Sequence, residues 1–276
     1  MKKKLSFLER AAAVPHMVWV VLFIVAPLLF VAYFAFTDNK TGQLSFGNIA
    51  ALSSYGEIFF TSICFALVAT FCCLIIGYPL AFVMSRCKPS TQKLLTVMLM
   101  LPMWISLLIR TYSLMTLLEN GGPINSLLSA IGLEPVQMIG TGGAVILGMI
   151  YDFLPYMVLP IFTSMQKMDN RYLEAAADLG CNSFQTMFRV VLPLTTPGII
   201  SGITMVFVPS ISTFYISQKL GGGNFDLIGD TIERQFRYTI TYHVGAAISL
   251  VMMILILISV AVMNRFTDED ERGMMV

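Results

Sequence analysis

The hydrophobic positions of this chain fall in six long continuous runs and do not alternate with polar positions. The runs lie near residues 15–36, 58–85, 94–118, 142–164, 193–217 and 242–264. About 20 helical residues, at 1.5 Å each, cross the hydrocarbon core of a bilayer, so each run is long enough to span it. Barrel strands would alternate, and only helices or closed barrels satisfy their backbone in lipid. The pattern predicts an all-α polytopic membrane protein, with six transmembrane helices in a single domain over residues 1–276.

Composition agrees with this class. Hydrophobic residues make up 57% of the chain, charged residues make up 12%, and the mean hydropathy is +0.78. A chain of this composition has too little polar surface for a soluble globule. The two His and five Cys residues lack the spacing of a metal or disulfide framework. The first run follows "MKKKLSFLER" and is too long for the core of a signal peptide, so we expect it to remain as an uncleaved helix.

The distribution of Lys and Arg predicts the orientation. We assign the N-terminus, the 86–93 and 165–191 loops and the C-terminus to one side of the membrane. That side then holds twelve Lys and Arg residues, against four on the other side. Because cytoplasmic loops carry the excess of basic residues, both termini and the loop 165–192 are expected in the cytoplasm.

That cytoplasmic loop contains two predicted short helices. Asp169 or Asn170 is suited to cap the first, and Gly180 is suited to end it as a left-handed residue. Ser183 is suited to cap the second, and Pro193 fits the first turn of the next membrane helix. The second helix carries an apolar stripe at helical spacing, formed by Phe184, Met187, Phe188 and Val191.

The first of these helices has the composition of a docking element. Three consecutive alanines, Ala175 to Ala177, leave it without bulk, so another surface can approach its backbone. Glu174 and Asp178, one turn apart, place carboxylates beside that patch. The alternative is an amphipathic helix on lipid headgroups, but the two acidic residues argue against an anionic membrane surface.

The same residues carry a family resemblance. "EAAADLG", nine residues, then "VVLP" resembles the EAA signature of ABC-importer permease subunits, with Val190 where Ile is usual. Glu174, Ala175, Ala176, Gly180 and Pro193 match the pattern, and Asp178 lies within it. In that family the loop is the coupling helix that fits a groove on a separate ATPase. "LPMWISLLIRTYSL", "YDFLPYMVLP" and "FYISQKLGGGNFDLIGDTIERQF" are similar to segments of PotB-type permeases for spermidine and putrescine.

The resemblance implies several partners. They are a second permease subunit (PotC-like), an ATPase dimer (PotA-like) and an extracellular polyamine-binding protein (PotD-like), with membrane lipids around the chain and no nucleic acid. The chain itself lacks a GxxxxGK[ST] phosphate loop. We therefore expect a transport subunit that needs no cofactor and takes its energy from another chain.

Polar and aromatic residues inside the runs predict the substrate path. Polar groups in the bilayer interior are costly and usually face the bundle or a wet cavity. Stripes at helical spacing indicate these candidates: Trp104, Tyr112, Glu119, Asp152, Tyr156, Ser212 and Tyr215. A carboxylate at Asp152 is suited to receive a polyamine ammonium beside aromatic faces. The equally weighted alternative is a structural ion pair with Arg110, at a comparable depth in a neighbouring helix.

Other functions remain as alternatives. One alternative is the same machine carrying an amino acid or an anion, although an anion carrier should present more inward-facing cations than Arg110. An autonomous channel or secondary transporter would not need the alanine-rich loop. An intramembrane enzyme is disfavoured, because HExxH, GxSxG and paired intramembrane aspartates are absent from the sequence.

Overall fold

The computed structural model describes residues 7–38, 42–169, 171–238 and 242–273. Within these ranges the chain forms helices and connecting segments, with one isolated bridge between Thr37 and Leu44. The predicted all-α class is confirmed. Four lysines that enter the charge count, and one candidate cap, lie outside the described residues: Lys2, Lys3, Lys4, Lys40 and Asn170.

The α-helices follow one another in chain order. Their bounds are α1 (Phe7–Val20), α2 (Ala26–Ala35), α3 (Gly47–Ala50), α4 (Gly56–Arg86), α5 (Pro89–Met100), α6 (Leu107–Leu118), α7 (Pro123–Ala130), α8 (Gly142–Lys167), α9 (Arg171–Asp178), α10 (Ser183–Thr186), α11 (Leu192–Ser212), α12 (Tyr215–Leu220), α13 (Ile228–Arg237) and α14 (Tyr242–Gly273). Two 3-10 turns (Ala51–Tyr55, Leu101–Trp104) and two π-helical turns (Val21–Val25, Met187–Val191) connect them.

Five helical stretches in the described ranges are long and apolar enough to cross a membrane. They are Val14–Ala35, Gly47–Arg86, Gly142–Lys167, Ser183–Ser212 and Tyr242–Met263. A sixth span exists only if Pro89–Trp104 and Leu107–Ala130 count as one, and these two are bent by 93°. The prediction of one helix over 94–118 is therefore wrong. An extended Ile105 and a non-helical Ser106 interrupt it, directly after a 3-10 turn that contains Pro102.

Two other helices end at different residues from those predicted. The run predicted over 193–217 stops at Ser212, whose hydroxyl donates to the carbonyls of Val208 and Pro209, and Thr213 is extended. A separate helix, α12, then begins at Tyr215. The run predicted over 242–264 continues as a helix to Gly273. An apolar run marks only the part of a helix that lies in lipid, and α14 continues beyond its apolar run into polar sequence.

Each π-helical turn is followed closely by a proline. Val21–Val25 precedes Pro27 in α2, and Met187–Val191 precedes Pro193 in α11. Proline has no amide hydrogen to donate, and its ring clashes with the carbonyl one turn back. A locally wider turn accommodates that ring without ending the helix. The chain therefore runs as one helical stretch from Ser183 to Ser212.

The chain divides into two compact units. One contains the chain up to Gly56 together with Thr231–Leu255, and the other contains Glu57–Asp230 and the chain from Ile256 onward. In the first unit, Ala35, Ala246 and Ala247 form a small buried cluster. Nearby, the His243 ring nitrogen Nδ1 lies 2.6 Å from the Thr37 carbonyl oxygen.

The second unit is built around α8. Its fully buried side chains include Met149, Met157 and Ile161. Helix α11 packs closely along it because Gly198 and Gly202 present no side chain there. A Cβ at Gly198 would lie 2.5 Å from Ser164 Cβ, well inside contact distance. Within a bilayer such close packing holds helices together, since lipid is as apolar as the side chains themselves.

Candidate coupling helix and substrate path

Helix α9, the predicted docking element, is closed at both ends by its own hydrogen bonds. At its start, the Asp169 side chain accepts a hydrogen bond from the Arg171 amide at 3.0 Å, as predicted for a cap. At its end, Gly180 has φ of +77°, as predicted for a left-handed residue. The amides of Gly180 and Cys181 donate to Ala177 and Ala176, at 2.9 and 3.0 Å. This is the Schellman pattern, which fixes where the helix stops and how the chain leaves it.

The next helix begins one residue earlier than predicted. Asn182, not Ser183, is the N-cap of α10. Its side chain accepts from the Gln185 amide at 2.8 Å, and the Gln185 side chain accepts from the Asn182 amide at 3.0 Å. This reciprocal capping box satisfies two otherwise unpaired amides, whereas a cap at Ser183 would leave them unpaired. Only three residues, Leu179 to Cys181, therefore separate the end of α9 from this capping box.

The alanine-rich surface faces outward in part. Glu174, Ala175, Ala177 and Asp178 are exposed, whereas Ala176 is only 4% exposed. On the following helix, the apolar stripe is divided between two faces. Val191 is buried, while Phe184 and Phe188 are exposed and stack with ring centroids 4.4 Å apart. The outward surface thus combines small residues, two carboxylates and exposed aromatic rings, which suits contact with another protein.

Asp152 and Arg110 form a buried ion pair. Arg110 Nη1 lies 3.1 Å from Asp152 Oδ1, and the two side chains are 7% and 1% exposed. The Thr111 hydroxyl donates to Asp152 Oδ2 at 3.4 Å. Arg110 Nη1 also reaches the Asp152 backbone carbonyl at 3.4 Å. The carboxylate is therefore engaged inside the protein, between α6 and α8, and does not face an open surface.

Tyr156 and Ser201 line an open groove between α8 and α11. The groove has a volume of about 650 Å³, and its lining continues through Thr163 and Ser164 to Lys167. Thr204, which sequence spacing places on the stripe of Ser201, lies elsewhere. Its Oγ1 is 3.0 Å from the Met263 sulfur in α14. Two polar residues at helical spacing on α11 therefore have different surroundings, one in a groove and the other in a helix contact.

Tyr112 and Tyr215 are brought together by packing of α12 against α6. Their ring centroids are 6.1 Å apart with an interplanar angle of 71°. The Lys219 ammonium lies over both rings, 5.1 Å from the Tyr112 centroid and 5.8 Å from the Tyr215 centroid. The remaining predicted path residues, Trp104, Glu119 and Ser212, are exposed. These three side chains form no hydrogen bond, ion pair or ring contact with either tyrosine in the described structure.

Three residues have structural surroundings that the sequence did not predict. Thr111 supports the Asp152 carboxylate, and Lys219 contacts the two tyrosines. Asp230 is 3% exposed and accepts a hydrogen bond from the Leu227 amide at the start of α13. A Tyr and a Lys four residues apart on a helix, as at 215 and 219, was the available signal for Lys219. Its contact with Tyr112 required the tertiary fold.

Comparison with known proteins agrees with this architecture. The family of binding-protein-dependent transport system inner membrane components matches residues 74–271. The chain is 36% identical to the spermidine/putrescine transport system permease protein PotB of Haemophilus influenzae, over 90% of each chain. It is also 36% identical to PotB of Escherichia coli, over 86% of this chain and 89% of that protein.

Two solved structures have similar folds. A bacterial ABC transporter involved in import of the acidic polysaccharide alginate aligns with a TM-score of 0.76 at 20% identity, covering 95% of this chain and 96% of that one. The MetNI methionine ABC transporter aligns with a TM-score of 0.57 at 16% identity, covering 78% of this chain and 94% of that one. Prediction of a multi-pass membrane transport subunit is thereby confirmed. The chain belongs to the binding-protein-dependent transport system inner membrane components, the permease subunits of ABC importers.

Proposed function

We propose that this chain is the permease subunit of an ATP-driven polyamine importer, with putrescine and spermidine as its substrates. The observation that carries the proposal is the 36% identity to the PotB permease along 90% of both chains. The similarity to the alginate and methionine transporters, at 20% identity or less, supports the fold alone. Throughout the transport cycle the chain acts as one permease domain.

The orientation follows from the basic residues. Both termini and α9 lie in the cytoplasm, so that α9 faces an ATPase dimer of the PotA type. A second permease of the PotC type supplies the other half of the path, and a binding protein of the PotD type delivers the polyamine from outside. The exposed Glu174, Ala175 and Asp178 support this role for α9, because they leave a small acidic surface next to a well-defined backbone.

The connection between α9 and the membrane is short and fully hydrogen-bonded. The Schellman pattern at Gly180 leads directly into the capping box at Asn182. From Ser183 the helical stretch then continues to Ser212. A push on α9 therefore reaches α11 through rigid elements, and α11 packs tightly on α8. Such packed helices adopt alternative arrangements more readily than they deform, which is how ATPase closure opens the path.

The substrate path lies on the exposed aromatic and polar face. Trp104, Tyr112, Tyr156 and Tyr215 offer ring faces that attract ammonium groups, and the exposed Glu119 offers a carboxylate. Asp152 acts indirectly in this proposal. Its charge is matched by Arg110, which holds α6 against α8. A polycation thus meets aromatic faces and not an uncompensated arginine.

The proposal is tested by reconstitution in lipid vesicles with the partner permease, the ATPase and the binding protein. We expect labelled putrescine and spermidine to accumulate only with ATP. Glu174→Lys should abolish ATP-driven uptake while the protein remains folded, and Glu134→Lys, also exposed but in a different loop, should leave uptake unchanged. If another solute accumulates and neither polyamine does, the substrate assignment is wrong. If Glu174→Lys transports normally, the coupling role is wrong.

A further inference from the structure

The two tyrosines that face each other across α6 and α12 already hold a cation. The ammonium of Lys219 is 5.1 Å from the Tyr112 centroid and 5.8 Å from the Tyr215 centroid. Both distances are within the range of about 6 Å over which a cation is attracted to the face of an aromatic ring. The rings are inclined at 71°, so they form two walls around one ammonium group. We call Tyr112 and Tyr215 the tyrosine pair.

Packing of α12 fixes the tyrosine pair in place. Ile216 and Leu220 are fully buried, and they rest where α8 has Gly148. A Cβ at Gly148 would lie 2.4 Å from Leu220 Cδ1, so glycine is required for this approach. Tyr215 and Lys219 precede these two anchors and are four residues apart, so they lie on one face of α12. The Tyr112 side chain is 49% exposed, which leaves the pair open to a ligand.

Lys219 has no carboxylate partner within the described part of the chain. It lies over the two tyrosine rings and hydrogen-bonds with the Tyr112 side chain. The Tyr112 side chain raises the pKa of Lys219 above its usual value, which keeps the amine charged. Lys219 is also the last but one residue of α12, and Gly221, Gly222 and Gly223 follow directly after that helix. Its flexible four-carbon stem permits the ammonium to leave without movement of the helix.

The chemistry of this contact is that of the proposed substrate. A lysine side chain ends in a primary alkylammonium, which is also the end group of putrescine and spermidine. The tyrosine pair does not distinguish the two. We propose that the tyrosine pair is a primary-ammonium site on the substrate path, and that Lys219 is its resident occupant, displaced by an end group of the polyamine. This inference rests on the proposed function for the identity of the ligand.

Displacement of Lys219 by the polyamine keeps the net free energy of binding at the tyrosine pair small. One ammonium–ring contact is exchanged for another, so the net free energy of the exchange is small. A transport site needs this property, because the substrate must leave as readily as it enters. After displacement, the Lys219 charge also lies close to the bound polyamine, and the repulsion favours its onward movement. Lys219 therefore weakens binding at the site.

The placement and the displacement are both observable by NMR of the assembled transporter in nanodiscs. Lysines carrying ¹³C-methyl groups report on nearby rings, and Lys219→Arg identifies the signal of Lys219. We expect that signal upfield of the other lysines, and we expect Tyr112→Leu or Tyr215→Leu to remove the shift. Putrescine should return the signal to the position of a free lysine, while neutral 1,4-butanediol should not. A Lys219 signal that stays in place at saturating putrescine overturns the inference.

Uptake kinetics give the second readout. Lys219→Gln vacates the tyrosine pair and should lower the KM for putrescine roughly two- to fivefold, the effect of one exposed cation–π contact. Lys219→Arg keeps a cation in the site and should therefore not lower KM. In a Tyr112→Leu background, Lys219→Gln should lower KM by a smaller factor, because only the charge repulsion then remains to be relieved. A KM that rises or is unchanged in Lys219→Gln overturns the inference. A decrease of equal size in both backgrounds also overturns it, because simple charge repulsion then explains the result.

These outcomes separate the inference from the proposed function. If the wild-type assembly imports putrescine and Lys219 is not displaced, the inference alone fails. If the wild-type assembly imports no polyamine, the proposed function fails. The NMR titration still decides whether the tyrosine pair accepts a primary ammonium in place of Lys219.

Discussion

At the scale of single residues, Arg110 and Asp152 form an ion pair whose loss should lower the stability of the protein. Both side chains are more than nine-tenths buried, and each is the other's counter-charge. An ion inside a protein is expensive to leave alone, and removing one partner of a buried pair costs roughly 3–5 kcal/mol. The pair thus specifies how α6 meets α8, whatever its net contribution to stability.

Asp152→Asn is expected to destabilise the protein, because it leaves the Arg110 guanidinium buried without a counter-charge. Thermal unfolding of the detergent-purified chain should begin at a lower temperature, and Arg110→Met with Asp152→Leu should recover part of the loss. A variant that melts like the wild type but loses polyamine-stimulated ATP hydrolysis would contradict this. Asp152 would then be a substrate ligand and not a structural charge.

Asp230 lies outside the candidate membrane spans and makes the free energy of unfolding depend on pH. Burial raises the pKa of Asp230 from 3.8 to about 6, and Ser217 and the Leu227 amide offset part of that rise. Between these values the folded state binds more protons than the unfolded state. The contribution of Asp230 to the free energy of unfolding is therefore fully present below about pH 4 and is lost as the pH rises through about 6.

Asp230→Asn should flatten this profile. We expect the melting temperature of the wild type, measured relative to that of the variant, to fall between about pH 4 and pH 6.5. Glu134→Gln is the matched control, since Glu134 is exposed, and its profile should follow the wild type. Wild-type and Asp230→Asn profiles with the same slope across this window would contradict the burial of Asp230.

At the scale of elements, the contact between α8 and α11 depends on two glycines. A Cβ at Gly198 would lie 2.5 Å from Ser164 Cβ and 2.8 Å from the Pro160 carbonyl oxygen. A Cβ at Gly202 would lie 2.8 Å from the Met157 sulfur. The backbone of α8 cannot yield easily, so these glycines set the distance between the two helices.

Gly198→Ala should separate α8 from α11 and destabilise the protein by about 1–3 kcal/mol, the usual cost of overpacking. Gly143→Ala is the control on α8, because the nearest atom to its Cβ would be 3.8 Å away. Melting temperatures of the two purified variants make the comparison. Equal melting temperatures would show that the helices are not in close contact.

The accuracy of the sequence predictions also varied by element. Apolar runs located α4 and α8 within a few residues, because long hydrophobic stretches in lipid must be helical. The capping signals at Asp169 and Gly180 were local and were confirmed. The bend after Trp104 and the break at Thr213 were missed. Both lie inside apolar sequence, where hydrophobicity carries no information about backbone conformation.

At the scale of the whole molecule, membership of the permease family was readable from one loop, since a docking surface requires particular residues at particular spacings. The substrate path was less readable. Spacing along one helix predicts which residues share a face, but not what that face meets. Ser201 therefore lies in a groove while Thr204 contacts Met263, and Lys219 joins Tyr112 only through packing of α12 on α6.

The account depends most on α9 contacting the ATPase on the cytoplasmic side. A photo-crosslinking amino acid at Ala175, which is exposed on α9, tests this in the assembled transporter, with Leu127 on α7, 67% exposed, as the matched position in a predicted outer loop. We predict that illumination links Ala175, and not Leu127, to the ATPase subunit. A crosslink from Ala175 only to lipid or to the extracellular binding protein would contradict both the orientation and the coupling role.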